Sequence, residues 1–410
     1  MYHPKVIERN ISQVESELKL TLVRYTIGEV EAWVEHLDKR KKLLEAKLGR
    51  PIVTSDLKPE EQAFIRNEIL LSAHDFSYWS ERYAWLIADP VSGGGLRRFI
   101  PWGSQKLVLE RIAKMELEQT DAHMRGEPVD GILLALHKAR QLGATLLARV
   151  LMMHRVTTTP HTRAISASVD EDKVEKLYER DKRILTNLPW WLAPTIGFEE
   201  KAKHITWDRL DSSLLYQELV QKAGLGQGEQ FDLGHITEVA SAPNPGTLEH
   251  DYFPTIPQSP YALHIMETTA QGRDNFWRFF IDDIRANNSR WKLVFIPWYA
   301  EEQKYRRTPP ENWKPDELAL LHAQRVWDTS YEYVGKQVML SLPQLYWWSS
   351  TRADYQRKDS LNLFLTNYCA TVEESFQHTS ASVFDASLLD HFRTQVRDGQ
   401  AYEFRTGEVA

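Results

Sequence analysis

ILLALHKARQLGAT, Ile132 to Thr145, reads as a buried strand, a tight loop and a helix opening at Ala144 or Thr145. A loop of this architecture holds phosphate because successive backbone N–H groups and a helix N-terminus converge on its oxygens. A lysine and a hydroxyl then meet the terminal phosphate and Mg²⁺. The stretch departs from the GxxxxGK[ST] string: Ala144 stands where the lysine normally does, and the lysine nearby is Lys138, at the loop's beginning. Its four-carbon stem can carry the ammonium back over the phosphates, and Arg140 adds a planar fork suited to phosphate. Thr145 keeps the position that meets Mg²⁺, and Ala139, Arg140, Gln141, Leu142, Gly143 and Ala144 supply the cradle between. The pattern K-x-R-Q-x-G-x-T is short, and an ordinary strand-to-helix turn fits it as well.

Outward from this stretch, short apolar runs alternate with helical segments. The runs are Ile132 to Leu136, Ala164 to Ala167, Leu214 to Tyr216, Phe231 to Ile236, Leu263 to Met266 and Leu293 to Ile296. This alternation predicts an α/β domain around a largely parallel sheet, with helices at Val169 to Leu185 and Asn275 to Ile284 covering its faces. Toward the N-terminus, Ile7, Ile11, Val14, Leu18, Leu22 and Tyr25 recur at helical spacing and predict one amphipathic helix. Another helical stretch is predicted from Pro59 to Ala88, with Gly93 to Gly95 marking a turn before Phe99. The run Lys39 to Lys42 reads as a solvated helix face rather than a DNA contact. After Pro297 the chain turns polar and helical, with Trp313, Trp327, Trp347 and Trp348 as aromatic punctuation, which predicts a small helical lid or linker. The expected divisions are a helical extension over 1–75, a core over 76–297, the lid over 298–385 and a tail over 386–410.

Composition bounds the function. Of 410 residues, 42% are hydrophobic and 26% charged, as in ordinary globular proteins. A net charge of −7 excludes a protein that coats nucleic acid over its whole surface and leaves only a local basic face for DNA. Cys369 is the single cysteine, MYHPKVIERN has no apolar signal core, and no apolar run reaches transmembrane length. The reducing cytoplasm and no membrane are therefore expected.

Two further segments carry chemistry. FDLGHITE, Phe231 to Glu238, is an apolar strand ending in a carboxylate. A glutamate there can orient and deprotonate the water that attacks a γ-phosphate. Thr237 stands where many ATPases have aspartate, so direct carboxylate help to Mg²⁺ is absent and Thr237 is left a role through water. The strand Leu263 to Met266 runs into Glu267, Thr268, Thr269, Ala270, Gln271 and Gly272, where hydroxyls can sense γ-phosphate by exchanging hydrogen bonds as it leaves. Taken singly, a surface acid and a polar turn account better for these two segments.

Together and in this order the three segments resemble the ATPase domain of phage large terminases. Phe99 to Gln105, FIPWGSQ, resembles that family's adenine-side glutamine segment, and Leu188 to Pro194, LPWWLAP, a proline-bracketed stretch. FIPWY at Phe295 to Tyr299, YRR at Tyr305 to Arg307, LPQLYW at Leu342 to Trp347 and TVEESF at Thr371 to Phe376 with Val383 and Phe384 resemble the segments leading out of the motor. The similarity covers roughly Asp75 to Asp385. It implies an ASCE-type P-loop NTPase that hydrolyses ATP with Mg²⁺ to drive double-stranded viral DNA into a prohead. It further implies a homo-oligomeric ring on the portal protein, with a small terminase subunit as partner, in the host cytoplasm. By this resemblance Lys138 is a displaced Walker A lysine, Arg140 the catalytic loop arginine, Thr145 the Mg²⁺ hydroxyl and Glu238 the catalytic glutamate. Thr268, Thr269 and Ala270 form the coupling motif, and Gln105 touches adenine. Gly226-Gln227-Gly228 has glutamine where the family often has arginine, which leaves a trans-acting arginine unassigned. Residues 1–75 have no family counterpart and are read as bracing the fold rather than binding the small subunit.

Large terminases usually continue into an RNase H-like nuclease whose clustered aspartates hold two metals. The late acids here, Asp385, Asp390, Asp398, Glu403 and Glu408, are scattered, so no DNA cleavage is expected and the nuclease would be removed or separate. Two rival readings stay open. A helicase-like DNA translocase shares the ATP chemistry but not the Pro-Trp-Tyr and Gln-Leu-Tyr-Trp segments. A degenerate ATPase kept as an assembly scaffold is favoured by Ala144 and Thr237.

Overall fold

Helices α1 (Pro4–Leu18), α2 (Ile27–Leu48), α3 (Pro59–His74) and α4 (Phe76–Tyr83) build the N-terminal region of the chain, described here from a computed structural model. The described residues are 2–87, 94–192, 196–219, 224–226, 228–272 and 275–376. Ala88, Gly93, Ala193, Pro194, Gln227, Val383, Phe384 and the tail with its late acids lie outside them.

The single helix predicted through Tyr25 is cut after Leu18. Lys19 takes a left-handed backbone (φ 50) and donates its N–H to Glu15, and the extended segment beyond exchanges two hydrogen bonds between Val23 and the Asn67 amide. Leu22 and Tyr25 therefore leave the helical stripe. The stretch predicted from Pro59 to Ala88 is likewise split. Asp75 is extended, its carboxylate accepts from the Tyr78 N–H to cap α4, and the chain then enters strand β1 (Trp85–Ile87), paired antiparallel with β2 (Leu96–Arg98). Polar side chains that bond to backbone favour such breaks over helix continuation.

After α5 (Gly103–Met124) come β3 (Ile132–Lys138), α6 (Ala144–Thr158), β4 (Arg163–Ser168), α7 (Glu171–Thr186), β5 (Gly197–Glu199), β6 (His204–Trp207) and β7 (Ser212–Glu218). The core closes with β8 (Leu233–Thr237), β9 (Leu263–Thr268), α8 (Phe276–Arg285) and β10 (Lys292–Ile296). All six predicted apolar runs supply strands, although Phe231 and Asp232 of the fourth precede β8. They lie in one eight-stranded sheet of order β10-β3-β9-β8-β4-β7-β6-β5, parallel from β10 to β7, with β6 and β5 added antiparallel at one end. Every position of β8 and β9 is buried, as expected of a parallel sheet covered on both faces. β5 and β6 escaped the sequence reading because three- and four-residue strands at a half-buried edge carry little apolar signal. The result is an α/β, P-loop NTPase-like fold. Among the described residues no helix is long and apolar enough to cross a membrane.

Register decides which side chains meet. Leu136, Glu267 and Thr237 share one row across β3, β9 and β8, so the loop after β3 and the turns after β8 and β9 open together at the C-terminal edge of the sheet. In open α/β sheets that edge is where ligands bind.

α6 packs on the sheet with Leu147, Val150, Leu151 and Met153 buried. It also carries the fully buried Arg149, whose guanidinium forks onto Asp181 of α7, a carboxylate that also accepts from the Tyr216 hydroxyl. Removing one partner of a buried pair leaves a charge without compensation. Arg149→Met is therefore expected to lower the unfolding free energy by about 3–5 kcal/mol, read as an earlier denaturant midpoint at unchanged slope. Adding Asp181→Leu should recover most of that loss; a double variant as unstable as the single one would count against the pairing as its cause.

Four further helices follow: α9 (Glu317–Val334), α10 (Leu342–Arg357), α11 (Leu361–Asn367) and α12 (Val372–Ser375). Trp347 packs between Trp298, Tyr305 and Tyr368 at ring-centroid distances of 5.0, 4.8 and 5.2 Å, and Trp348 stacks on His322 at 4.1 Å. Trp327 stays exposed. α12 is tied to the sheet through His137 of β3, which accepts from the Trp277 indole (3.0 Å) and so presents its other ring nitrogen to the Ser375 hydroxyl (2.7 Å). Burial drops the His137 pKa to about 3, which keeps the ring neutral.

Candidate nucleotide site

The loop Ala139–Gly143 is shaped by what holds its carbonyls. Tyr305 donates to Arg140 O, Lys304 to Gln141 O (2.6 Å), Ser104 to Leu142 O (3.0 Å) and the Gln105 amide to Gly143 O (2.8 Å). The N–H groups of Ala139 and Arg140 are used by Ile296 O (2.9 Å) and Asn367 O (2.8 Å). No acceptor among the described residues meets those of Gln141, Leu142 and Gly143, and α6 begins without a side-chain cap. These donors and the helix N-terminus form a concentrated partial positive charge. Gln141 (φ 57) and Gly143 (φ 72) are both left-handed, which points successive N–H groups to one side. Only glycine suits position 143: besides its φ, a Cβ there would stand 2.6 Å from the Gln105 amide nitrogen.

Charged and hydroxyl groups surround this nest. Lys138 leaves the end of β3 with its Nζ 3.5 Å from Glu267 Oε2, and Thr145 sits in the first turn of α6. Arg140 is exposed and its side chain makes no hydrogen bond or ion pair among the described residues. Glu267 is fully buried. Its Oε1 accepts from the Thr237 hydroxyl (3.0 Å) and faces His235 Nε2 (3.3 Å), while no hydrogen bond closes on Oε2. Arg149 can only donate, so His235 Nδ1, 3.1 Å from it, accepts and Nε2 carries the proton toward Glu267. Burial alone would raise the Glu267 carboxyl. The Lys138 ammonium, His235 and the nearby Thr145 hydroxyl outweigh it and hold the group well below the usual carboxylate range.

Glu238 follows β8 directly, with a left-handed backbone (φ 58) that few non-glycine residues adopt. Its side chain is 47% exposed and pairs with Lys173 of α7 at 2.7 Å. The turn it opens is pinned from the neighbouring strand: the Thr268 hydroxyl accepts from the Ala240 N–H (3.3 Å) and donates to Thr269 O (2.8 Å), and Asn275 donates to Ala240 O (2.7 Å). Thr269 is half-buried and Ala270 buried. The structure thus gathers Lys138, Arg140, Thr145, Glu238 and Thr268–Ala270 at one edge. Gln105 also lies there, but both ends of its amide are engaged, by Gly143 O and by the Trp102 N–H (2.8 Å). Sequence reading missed Ser104, Glu267, Lys304, Tyr305 and Asn367. Ser104, Glu267 and Tyr305 fall inside the motif segments without a role being read for them, whereas nothing in the sequence marks Asn367. A groove of about 780 Å³ lined by Val34, Lys41, Tyr83 and Trp190 lies elsewhere and shares no residue with the loop.

The chain is similar in structure to phage large terminases. The crystal structure of the HK97 bacteriophage large terminase matches at 12% identity and a TM-score of 0.46, over 73% of this chain and 55% of that one. The large terminase ATPase domain of Thermus phage P74-26 matches at 13% identity and a TM-score of 0.33, over 50% of this chain and 88% of that one. The large terminase of a thermophilic bacteriophage in complex with ATP-γ-S matches at 12% identity and 0.33, over 54% and 51%. The chain spans about half the length of the HK97 protein. No family model and no curated protein matches it.

Proposed function

We propose that the chain is the ATP-hydrolysing motor of viral genome packaging, using Mg²⁺·ATP to move double-stranded DNA into a prohead. The observation that carries the ATP reading is the loop itself: its carbonyls are held outward by four side chains while the N–H groups of Gln141, Leu142 and Gly143 and the α6 N-terminus are left without acceptors. A triphosphate satisfies that arrangement.

In this reading the loop amides cradle the phosphates, and Lys138 and Arg140 neutralise charge on the outermost one. Gln105 sets the loop's height through Gly143 and faces the adenine side. Thr145 would hold a Mg²⁺ ion, which would supply charge neutralisation to the phosphates. The unbonded Oε2 of buried Glu267 and the Thr145 hydroxyl fit such an ion. Among the described residues no three His, Cys, Asp or Glu side chains converge, consistent with an ion held mainly by phosphate and water. Glu238 leaves Lys173 to orient and deprotonate the attacking water. The packaging part of the reading draws on the terminase-like segments, which include Tyr305, a side chain that grips the loop. A ring on the portal protein, a small terminase subunit and action at the prohead belong to the same proposal.

ATP turnover by the purified chain, with and without double-stranded DNA and portal-bearing proheads, tests it. DNA-stimulated turnover that rises further with proheads is expected; stimulation by DNA alone would favour a helicase-like translocase, and no turnover a scaffold. Thr269→Ala should uncouple the motor: hydrolysis stays near normal while DNA movement falls, because a hydroxyl at this strand end reports γ-phosphate without activating water. Equal loss of both would argue against a coupling role.

A further inference from the structure

We propose that Glu267, at the end of β9, is the carboxylate that anchors Mg²⁺ in this site, taking over from β9 the task that an aspartate at position 237 of β8 would perform. The inference rests on the nucleotide reading above and adds to it a residue and a swap between neighbouring strands.

Register makes the exchange geometrically simple. Thr237 and Glu267 are Cα partners in the same row, so a carboxylate on either strand reaches the same side of the sheet. Thr237 does not leave that place empty: its hydroxyl donates to Glu267 Oε1 at 3.0 Å. His235, two residues earlier on the same face, faces the same oxygen with Nε2 at 3.3 Å, and its tautomer is fixed by Arg149 on the other ring nitrogen at 3.1 Å. One carboxylate oxygen is thus loaded with donors. The other, Oε2, is buried, meets no donor at hydrogen-bond distance, and lies 3.5 Å from Lys138 Nζ at the start of the loop, with the Thr145 hydroxyl close to the same carboxyl. A ligating carboxylate oriented through its second oxygen by hydroxyl and imidazole donors is the usual outer shell of a metal site.

A pure counter-ion for Lys138 explains less. A buried carboxylate is tolerated when both oxygens are satisfied, and leaving one without a hydrogen bond in a fully buried side chain is costly. A hydrated Mg²⁺ beside Thr145 gives that oxygen its partner, and Mg²⁺ characteristically takes only one or two protein carboxylates and keeps water for the rest.

The test is nucleotide affinity rather than turnover, measured on the full chain with a fluorescent ADP in Mg²⁺ and in excess EDTA. Wild type should bind more tightly with Mg²⁺. Glu267→Gln, and Glu267→Asp, which keeps the charge but withdraws the oxygen by one methylene, should each lose roughly tenfold to a hundredfold of that metal-dependent gain. EDTA affinity should stay equal or improve as Lys138 is released. Thr237→Asp added to Glu267→Gln should restore the gain, and this combination returns a carboxylate to the site even if the single variant folds poorly. Equal weakening with and without Mg²⁺, full tolerance of Glu267→Asp, or an unchanged metal-dependent gain would each overturn the assignment. Wild type that binds no nucleotide would instead overturn the nucleotide reading beneath it.

Discussion

Lys138→Ala is expected to weaken ATP binding or turnover by roughly a hundredfold or more, the scale of losing a charge-assisted contact to phosphate together with its share of transition-state neutralisation. The loop holds no other lysine. Lys138 is only 15% exposed at the end of β3, tethered to Glu267 from a strand held on both sides by β10 and β9. That tether makes the experiment informative only beside a stability measurement. Alanine leaves Glu267 buried without its cation, and breaking a buried pair destabilises by about 3–5 kcal/mol. Turnover should therefore be compared at a temperature where thermal unfolding shows both proteins folded. Arg140→Ala separates the two cations: exposed and without a side-chain hydrogen bond or ion pair among the described residues, Arg140 should change folding little. If Lys138→Ala hydrolyses ATP normally while Arg140→Ala does not, the phosphate-binding role passes to the arginine.

How much was legible in the sequence depended on range. The buried parallel strands were, because continuous apolar runs such as Leu263 to Met266 persist wherever helices cover both faces. Helix ends were less so. Lys19 and Asp75 break predicted helices through single backbone or side-chain bonds, and no periodicity encodes those. The loop was readable as strand, turn and helix, but not the reason for its shape. Lys304, Tyr305 and Asn367 reach it from more than 160 residues away, and only the fold brings them there. Glu267 is the clearest case. In sequence it is an acid before two threonines; its meaning lies in sharing a row with Thr237 and Leu136, a relation between strands that one dimension does not display. The missing aspartate at Thr237 was visible, and what stands in for it required the register.

Glu238→Gln is expected to leave nucleotide binding nearly intact and to lower turnover by at least about a hundredfold, the scale expected on removing a positioned general base. The substitution is nearly isosteric, and the pair it breaks, with Lys173, is largely solvent-exposed and contributes little to stability. Two observations favour a chemical role over that of a surface acid. Glu238 holds a left-handed backbone, φ 58, at the end of a fully buried strand, and such conformations persist where surrounding structure enforces them. Its turn is anchored from the neighbouring strand by Thr268, a member of the proposed coupling motif, and by Asn275. In the present arrangement the carboxylate faces Lys173, so catalysis requires it to swing toward the nucleotide. Lys173→Ala therefore serves as the control: it removes the partner but not the base, and turnover should be maintained or increased. If both variants hydrolyse ATP at the wild-type rate, Glu238 is only the exposed half of an ion pair, and the water must be activated by another group. If Lys173→Ala is as inactive as Glu238→Gln, the pair itself is the working unit.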